Sequence, residues 1–436
     1  MLLVVMSAVF GGASREAPIR LMAVELSSLP LLFLSLRALA ARRLWQGRTL
    51  AFAVLALTLL IPALQLIPLP PNIWAALPGR RSLAQGLEAA GLPAPWLPAT
   101  LTPSDTWRSL LALAPPVAMF LGALAMAPLQ LRRLAGLWIG FGFLGLAIGA
   151  GQMFAGRGSA FWLYETTNYG SLVGFFANRN HQASFLLGLT AFAAAFAARG
   201  LFRREAQGVA PLIGALFLLI AIAGLAAVKS RAGAILGVPA LAATLALVWR
   251  SAAAPRRMRT GLAVTVVAVL GVGAVGLFGL APLLERFDDD GRPEVRAQAW
   301  PYVQRAADQF LPIGSGVGSF DTVFRAVEPL DLVSEFYVNH VHNDYLETWL
   351  ETGWLGAAAV FLFFVWFWPL AMRAWRTRDG PDPDLARAAS IAIALSLAHA
   401  FVDYALRTTA MSTLFAFSCG ALALLAAPSA SRARSG

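Results

Sequence analysis

The chain has 436 residues, of which 58% are hydrophobic and only 13% are charged, with a mean hydropathy of +0.67. A water-soluble chain carries about a quarter of its residues as charges, so lipid must cover much of this surface. In that setting a net charge of +11 records which side of a membrane the arginines occupy and gives no ground for a nucleic-acid partner. The single cysteine, Cys419, excludes an intramolecular disulfide and a cysteine metal cluster.

A bilayer crossing takes about 20 mostly apolar residues at about 1.5 Å of rise each. Such stretches are predicted near 22–40, 49–69, 109–129, 134–154, 182–198, 209–228, 232–249, 261–283, 354–372, 389–406 and 408–427. A shorter apolar start, Met1–Ala13, lacks the basic flank of a signal peptide and counts as a further, short span. Arginine then falls in every second connection: Arg42, Arg43 and Arg48; Arg132 and Arg133; Arg199, Arg203 and Arg204; Arg250, Arg256, Arg257 and Arg259; Arg373, Arg376 and Arg378; Arg432 and Arg434. Basic residues concentrate in short cytoplasmic loops, so both termini are expected in the cytoplasm. The predicted class is an all-α polytopic integral membrane protein with about 12 transmembrane helices. Residues 1–284 form transmembrane helices 1 to 9, 285–352 one large periplasmic loop carrying short helices, and 353–436 transmembrane helices 10 to 12 with a cytoplasmic tail. The large loop holds 13 of the 23 acidic residues against five arginines, and two of the four histidines, so the chemistry is expected on that side.

Within the loop, Val295, Ala299, Val303, Ala306 and Phe310 keep helical spacing and predict a helix with one packed face. The GSGVGSF turn that follows, residues 314–320, has no strand before it and is read as structural rather than as a phosphate cradle. In HVHNDYLETWLETGWLG, residues 340–356, Asp344 and Glu347 stand at capping-box spacing, so a helix starts there with His342 just outside its N-terminus. The positive helix end favours an anion beside a neutral imidazole, which suits a general base acting next to a phosphate. A histidine on a loop surface is the plainer alternative. A metal at His340, His342 and Asp344 is disfavoured, because no further ligand stands at a familiar spacing.

Basic residues on the same side are the second signal. Lys229, Ser230 and Arg231 form an abrupt polar turn between two apolar helices, either facing a cavity that takes an anion or snorkelling to the interface. Asn178, Arg179, Asn180 and His181 concentrate donors at the start of a span, where Asn178 or Asn180 could equally be a helix cap. Arg296 stands one turn before Trp300, and His399, Asp403 and Arg407 would share a helix face at i, i+4 and i+8. Polar residues gathered at one face rather than at mid-membrane argue against a transporter or flippase.

The run His342, Asn343, nine residues, Gly353, two residues, Gly356 resembles the signature of the O-antigen ligase and polymerase superfamily of bacterial envelope glycosyltransferases. FANRNHQASFLL, KSRAG, Arg296 with Trp300 and PIGSGVGSF, and HAFVDYALRT are similar to that superfamily in the same order, over about residues 165–410. The resemblance implies a C-type glycosyltransferase of the inner (cytoplasmic) membrane, without a metal or cofactor, whose donor is a glycan on undecaprenyl diphosphate. Its acceptor would be a hydroxyl of the lipid A core, attacked with inversion. Polysaccharide polymerases and protein O-oligosaccharyltransferases of the same superfamily are the alternative. Carried onto this sequence, His342 is the expected catalytic histidine, with Arg231 and Arg296 on the diphosphate. Lys229, Arg179, Asn178, Asn180 and Asn343 are the expected substrate-binding residues.

Overall fold

The computed structural model describes residues 1–13, 17–156, 158–164, 168–202, 210–251, 295–333, 338–378 and 380–427. The predicted span at 261–283 lies outside the described residues. In chain order the helices are α1 (Leu2–Phe10), α2 (Pro18–Arg42), α3 (Thr49–Gln65), α4 (Pro71–Ala76), α5 (Arg81–Ala89), α6 (Pro103–Leu111), α7 (Ala114–Ala125), α8 (Pro128–Phe154), α9 (Arg179–Phe202), α10 (Ala210–Val228) and α11 (Arg231–Ser251). Then follow α12 (Val295–Phe310), α13 (Phe320–Val327), α14 (Asp344–Arg376), α15 (Pro383–His399) and α16 (Thr409–Leu425). Two strands of two residues, β1 (Pro68–Leu69) and β2 (Leu97–Pro98), pair antiparallel.

The fold is that of an all-α membrane protein. Six described helical stretches are long and apolar enough to cross a bilayer: Pro18–Arg42, Pro103–Ala125, Pro128–Phe154, Arg179–Arg199, Arg231–Ser251 and Asp344–Arg376. Thr49–Gln65, Ile213–Val228 and Thr409–Leu425 are shorter apolar helices. At nine residues, α1 rises only about 14 Å against a hydrocarbon core of about 30 Å.

Apolar on every side, α9 forms the axis of the bundle, packed against α10, α11 and α15; Ala183, Leu186, Leu189 and Phe192 are fully buried on it. Among the described residues, the basic connections at Arg132, Arg199, Arg250 and 373–378 come together. Arg132 pairs with Asp382 at 2.6 Å, Arg199 approaches the same carboxylate at 3.9 Å, and Arg250 donates to the carbonyls of Trp375 and Arg376. A second, smaller core lies apart from the bundle, formed by Ala299, Val303, Ala306, Phe310, Phe320, Phe324, Val341 and Leu350. From Ala299 to Phe310 the predicted face is therefore the one that α12 buries.

Gly353 interrupts α14 with φ 54° and ψ −139°, a conformation open only to glycine. The 314–320 turn wraps this break. Ser315 N–H donates to the Leu350 carbonyl and Gly316 N–H to that of Glu351, while the N–H groups of Gly318 and Phe320 reach the Glu351 carboxylate. With Val317 N–H donating to Gln65 of α3 at 2.9 Å and Ser319 N–H to the Gly316 carbonyl, the donors of the turn are spent within the protein, in keeping with a structural turn. A Cβ on Gly353 would stand 2.2 Å from the Pro312 oxygen. Gly353→Ala is expected to cost about 3 kcal/mol or more, read as a lower unfolding midpoint in detergent; an unchanged midpoint would contradict the strain.

Candidate functional site

His342 has φ 54°, a left-handed backbone that histidine adopts more readily than most side chains. It is 9% exposed. Its Nδ1 lies 2.8 Å from the carbonyl oxygen of His340. A carbonyl can only accept, so Nδ1 carries the hydrogen and the neutral ring keeps its lone pair on Nε2. That is the tautomer a base requires.

The helix beside it does not start as the spacing predicted. Asn343, not Asp344, is the N-cap of α14, its side chain accepting from the N–H groups of Tyr345 and Leu346. The two acidic residues turn instead toward Arg407. Arg407 lies 2.9 Å from Asp344, 3.1 Å from Glu347 and 3.3 Å from Glu351. Burial opposes the charge on this guanidinium, but the carboxylates of Glu347, Glu351 and Asp344 more than offset it and its pKa is raised. Glu347, fully buried, also accepts from His340 Nδ1 at 2.7 Å and from the Val341 N–H at 3.0 Å.

Tyr404 is the centre around which the histidines gather. Its ring meets those of His340 at 4.3 Å, His342 at 4.9 Å and His181 at 4.9 Å between centroids. The predicted face of His399, Asp403 and Arg407 does not form, because α15 ends at His399 and the chain turns, with the N–H groups of Val402 and Asp403 both donating to the His399 carbonyl. Asp403 faces His181 at 3.5 Å and accepts from the Asn180 side chain, whereas Arg407 serves α14.

From Asp403 the contacts run on to the remaining segments. Asn180 Oδ1 accepts from Ser230 Oγ at 2.8 Å, and Ser230 Oγ accepts the Gly233 N–H, capping α11 one residue before Arg231. Asn178 caps α9, accepting from the Asn180 N–H at 2.8 Å. Lys229 is exposed and donates to the Gly170 carbonyl at 3.1 Å. Arg179 and Arg231 are half-buried at the first positions of α9 and α11, where the helix dipole also favours an anion. Arg296 stands in the first turn of α12, and one turn later Trp300 Nε1–H donates to the Val341 carbonyl at 3.2 Å. A continuous set of contacts therefore runs from Ser230 through Asn180, Asp403 and Tyr404 to His342.

Of the residues expected from sequence, Asn178 and Asn343 serve as caps, Asn180 bridges two segments, and His342 lies at the meeting point. Sequence reasoning missed Tyr404, Glu347 and Arg407 as parts of the site. Tyr404 and Arg407 lie within the HAFVDYALRT segment, so the resemblance had marked their neighbourhood without assigning them.

Residues 215–361 match the family model described as O-antigen ligase, about a third of the chain. The matched stretch contains Lys229, Arg231, Arg296, His342, Gly353 and Gly356, and leaves out Arg179, Tyr404 and Arg407. No curated protein matches the chain.

Proposed function

We propose that this member of the O-antigen ligase superfamily transfers a glycan from undecaprenyl diphosphate to a hydroxyl of a lipid A core sugar. The reaction takes place on the periplasmic face of the bacterial inner membrane, with inversion and without a metal. The observation that carries the reading is the convergence on His342: segments 178–181, 229–231, 340–347 and 403–407 touch in sequence through Asn180, Asp403 and Tyr404.

In this reading the acceptor hydroxyl gives its proton to Nε2 of His342 as its oxygen attacks the anomeric carbon. The bond from that carbon to the diphosphate oxygen breaks, and the electron pair leaves with undecaprenyl diphosphate. A single displacement inverts the centre. Negative charge grows on the diphosphate, so fixed cations are needed there rather than at the sugar; Arg231 and Arg296 supply them, since guanidinium can bind phosphate oxygens in pairs. Lys229 and Arg179 add charge beside them. Asn178, Asn180 and Asn343 serve substrate binding by fixing the helix starts that carry Arg179, Arg231 and His342.

The test is transfer by purified protein supplied with a lipid-linked glycan and a core acceptor. Arg231→Ala and Arg296→Ala are each expected to lower kcat by about 100-fold or more, and Arg→Lys at either position to restore only part of it. Unaltered rates in both alanine variants would remove the diphosphate clamp. Transfer to a growing polymer or a protein, with none to the core, would reassign the acceptor.

A further inference from the structure

We propose that Glu347 is a positioning residue for His342, holding the 340–342 loop so that the imidazole stays in one orientation and one tautomer; this rests on His342 being the base. The loop is strained, because His342 sits at φ 54°. Such a backbone persists only where its surroundings over-determine it. Two of the restraints come from one side chain. Glu347 Oε1 accepts from His340 Nδ1 at 2.7 Å, and Oε2 accepts the Val341 N–H at 3.0 Å. On the other side of the same peptide, Trp300 Nε1–H donates to the Val341 carbonyl at 3.2 Å.

These contacts act on His342 through the His340 carbonyl. That carbonyl accepts the Nδ1 hydrogen at 2.8 Å, so its direction decides where the ring points and which nitrogen keeps the lone pair. Glu347 holds the residue that bears the carbonyl by its side chain, and the next residue by its N–H. A carboxylate is suited to this place. His340 Nδ1, the Val341 N–H and Arg407 Nη1, which stands 3.1 Å away, are all donors, and only an acceptor on both oxygens can meet them. A fully buried carboxylate is otherwise costly, so its pairing with Arg407 is a condition of the arrangement.

Glu347→Gln keeps the size but puts an NH2 group against donors, so one restraint is lost. The comparison uses the full-length protein with lipid-linked glycan and core acceptor, beside His342→Asn. The expected result is that His342→Asn abolishes transfer, and that Glu347→Gln lowers kcat by about 10- to 100-fold with the donor KM within twofold. A kcat equal to wild type, or a change confined to KM, would overturn the proposal while leaving the base reading intact, provided His342→Asn is inactive. An active His342→Asn would remove the base reading and the proposal with it. Should Glu347→Gln fail to fold, Glu347→Asp decides. It keeps the charge opposite Arg407 but draws the carboxylate back from His340 Nδ1 and the Val341 N–H, and is expected to lower kcat about tenfold at constant KM; an unchanged kcat there overturns the proposal.

Discussion

His342→Asn lowers glycan transfer by about 1,000-fold or more, as expected for loss of a general base worth about 10²–10⁴ in rate. Asparagine is a better probe than alanine, because His342 occupies a left-handed backbone at φ 54° that asparagine tolerates. Alanine would add a strain of about 1–2 kcal/mol and confuse lost chemistry with lost fold. Donor binding should survive, since the diphosphate is assigned to Arg231 and Arg296. The measurement is single-turnover transfer at saturating lipid-linked glycan, with donor affinity determined separately. A variant that binds donor and transfers at the wild-type rate would show that the ring has no part in the chemistry.

How much of this was legible in the sequence depends on whether the signal was local. The apolar helices, the buried face of α12 and the structural nature of the 314–320 turn were legible, because each is decided by residues within a few positions of one another; a cap near the start of α9 was legible too, but not whether Asn178 or Asn180 supplies it. The break in α14 coincides with Gly353, although no composition signal states that φ there is 54°. The start of α14 was misjudged by one residue. Asp344 and Glu347 fit the capping-box pattern, but Asn343 is the cap, and the two carboxylates respond to a guanidinium some 60 residues along the chain. The same distance explains why His399, Asp403 and Arg407 seemed to form one face. Helical spacing assumes the helix continues, whereas the chain turns at Ala400, where its carbonyl accepts the Asp344 N–H at 2.8 Å. Tyr404 could not be singled out for a related reason. Its importance lies in touching three histidines drawn from two distant segments, and periodicity carries no record of such a meeting.

Arg407→Gln is expected to destabilise the protein by about 3–5 kcal/mol, the range for breaking a buried ion pair by removing one partner. Three carboxylates share this one guanidinium, and two of them, Glu347 and Glu351, are buried at 0% and 2% exposure. Glutamine offers donors but no charge, so the carboxylates are left facing one another. The consequence reaches His342 by two routes. Glu347 would no longer be compensated while it holds His340 and Val341, and Asp344 would lose its partner at the first position of α14, next to the cap that follows His342. Loss of activity should therefore accompany loss of stability, unlike His342→Asn, where activity alone is lost. A double variant separates charge from shape. Glu351→Gln removes one carboxylate from the cluster while leaving Glu347 in place, so Arg407→Gln with Glu351→Gln should be more stable than Arg407→Gln alone, a departure from additivity expected for residues sharing one partner. Unfolding midpoints of the two single variants and the double variant in the same detergent decide it; strict additivity would mean that the carboxylates are held by something other than Arg407.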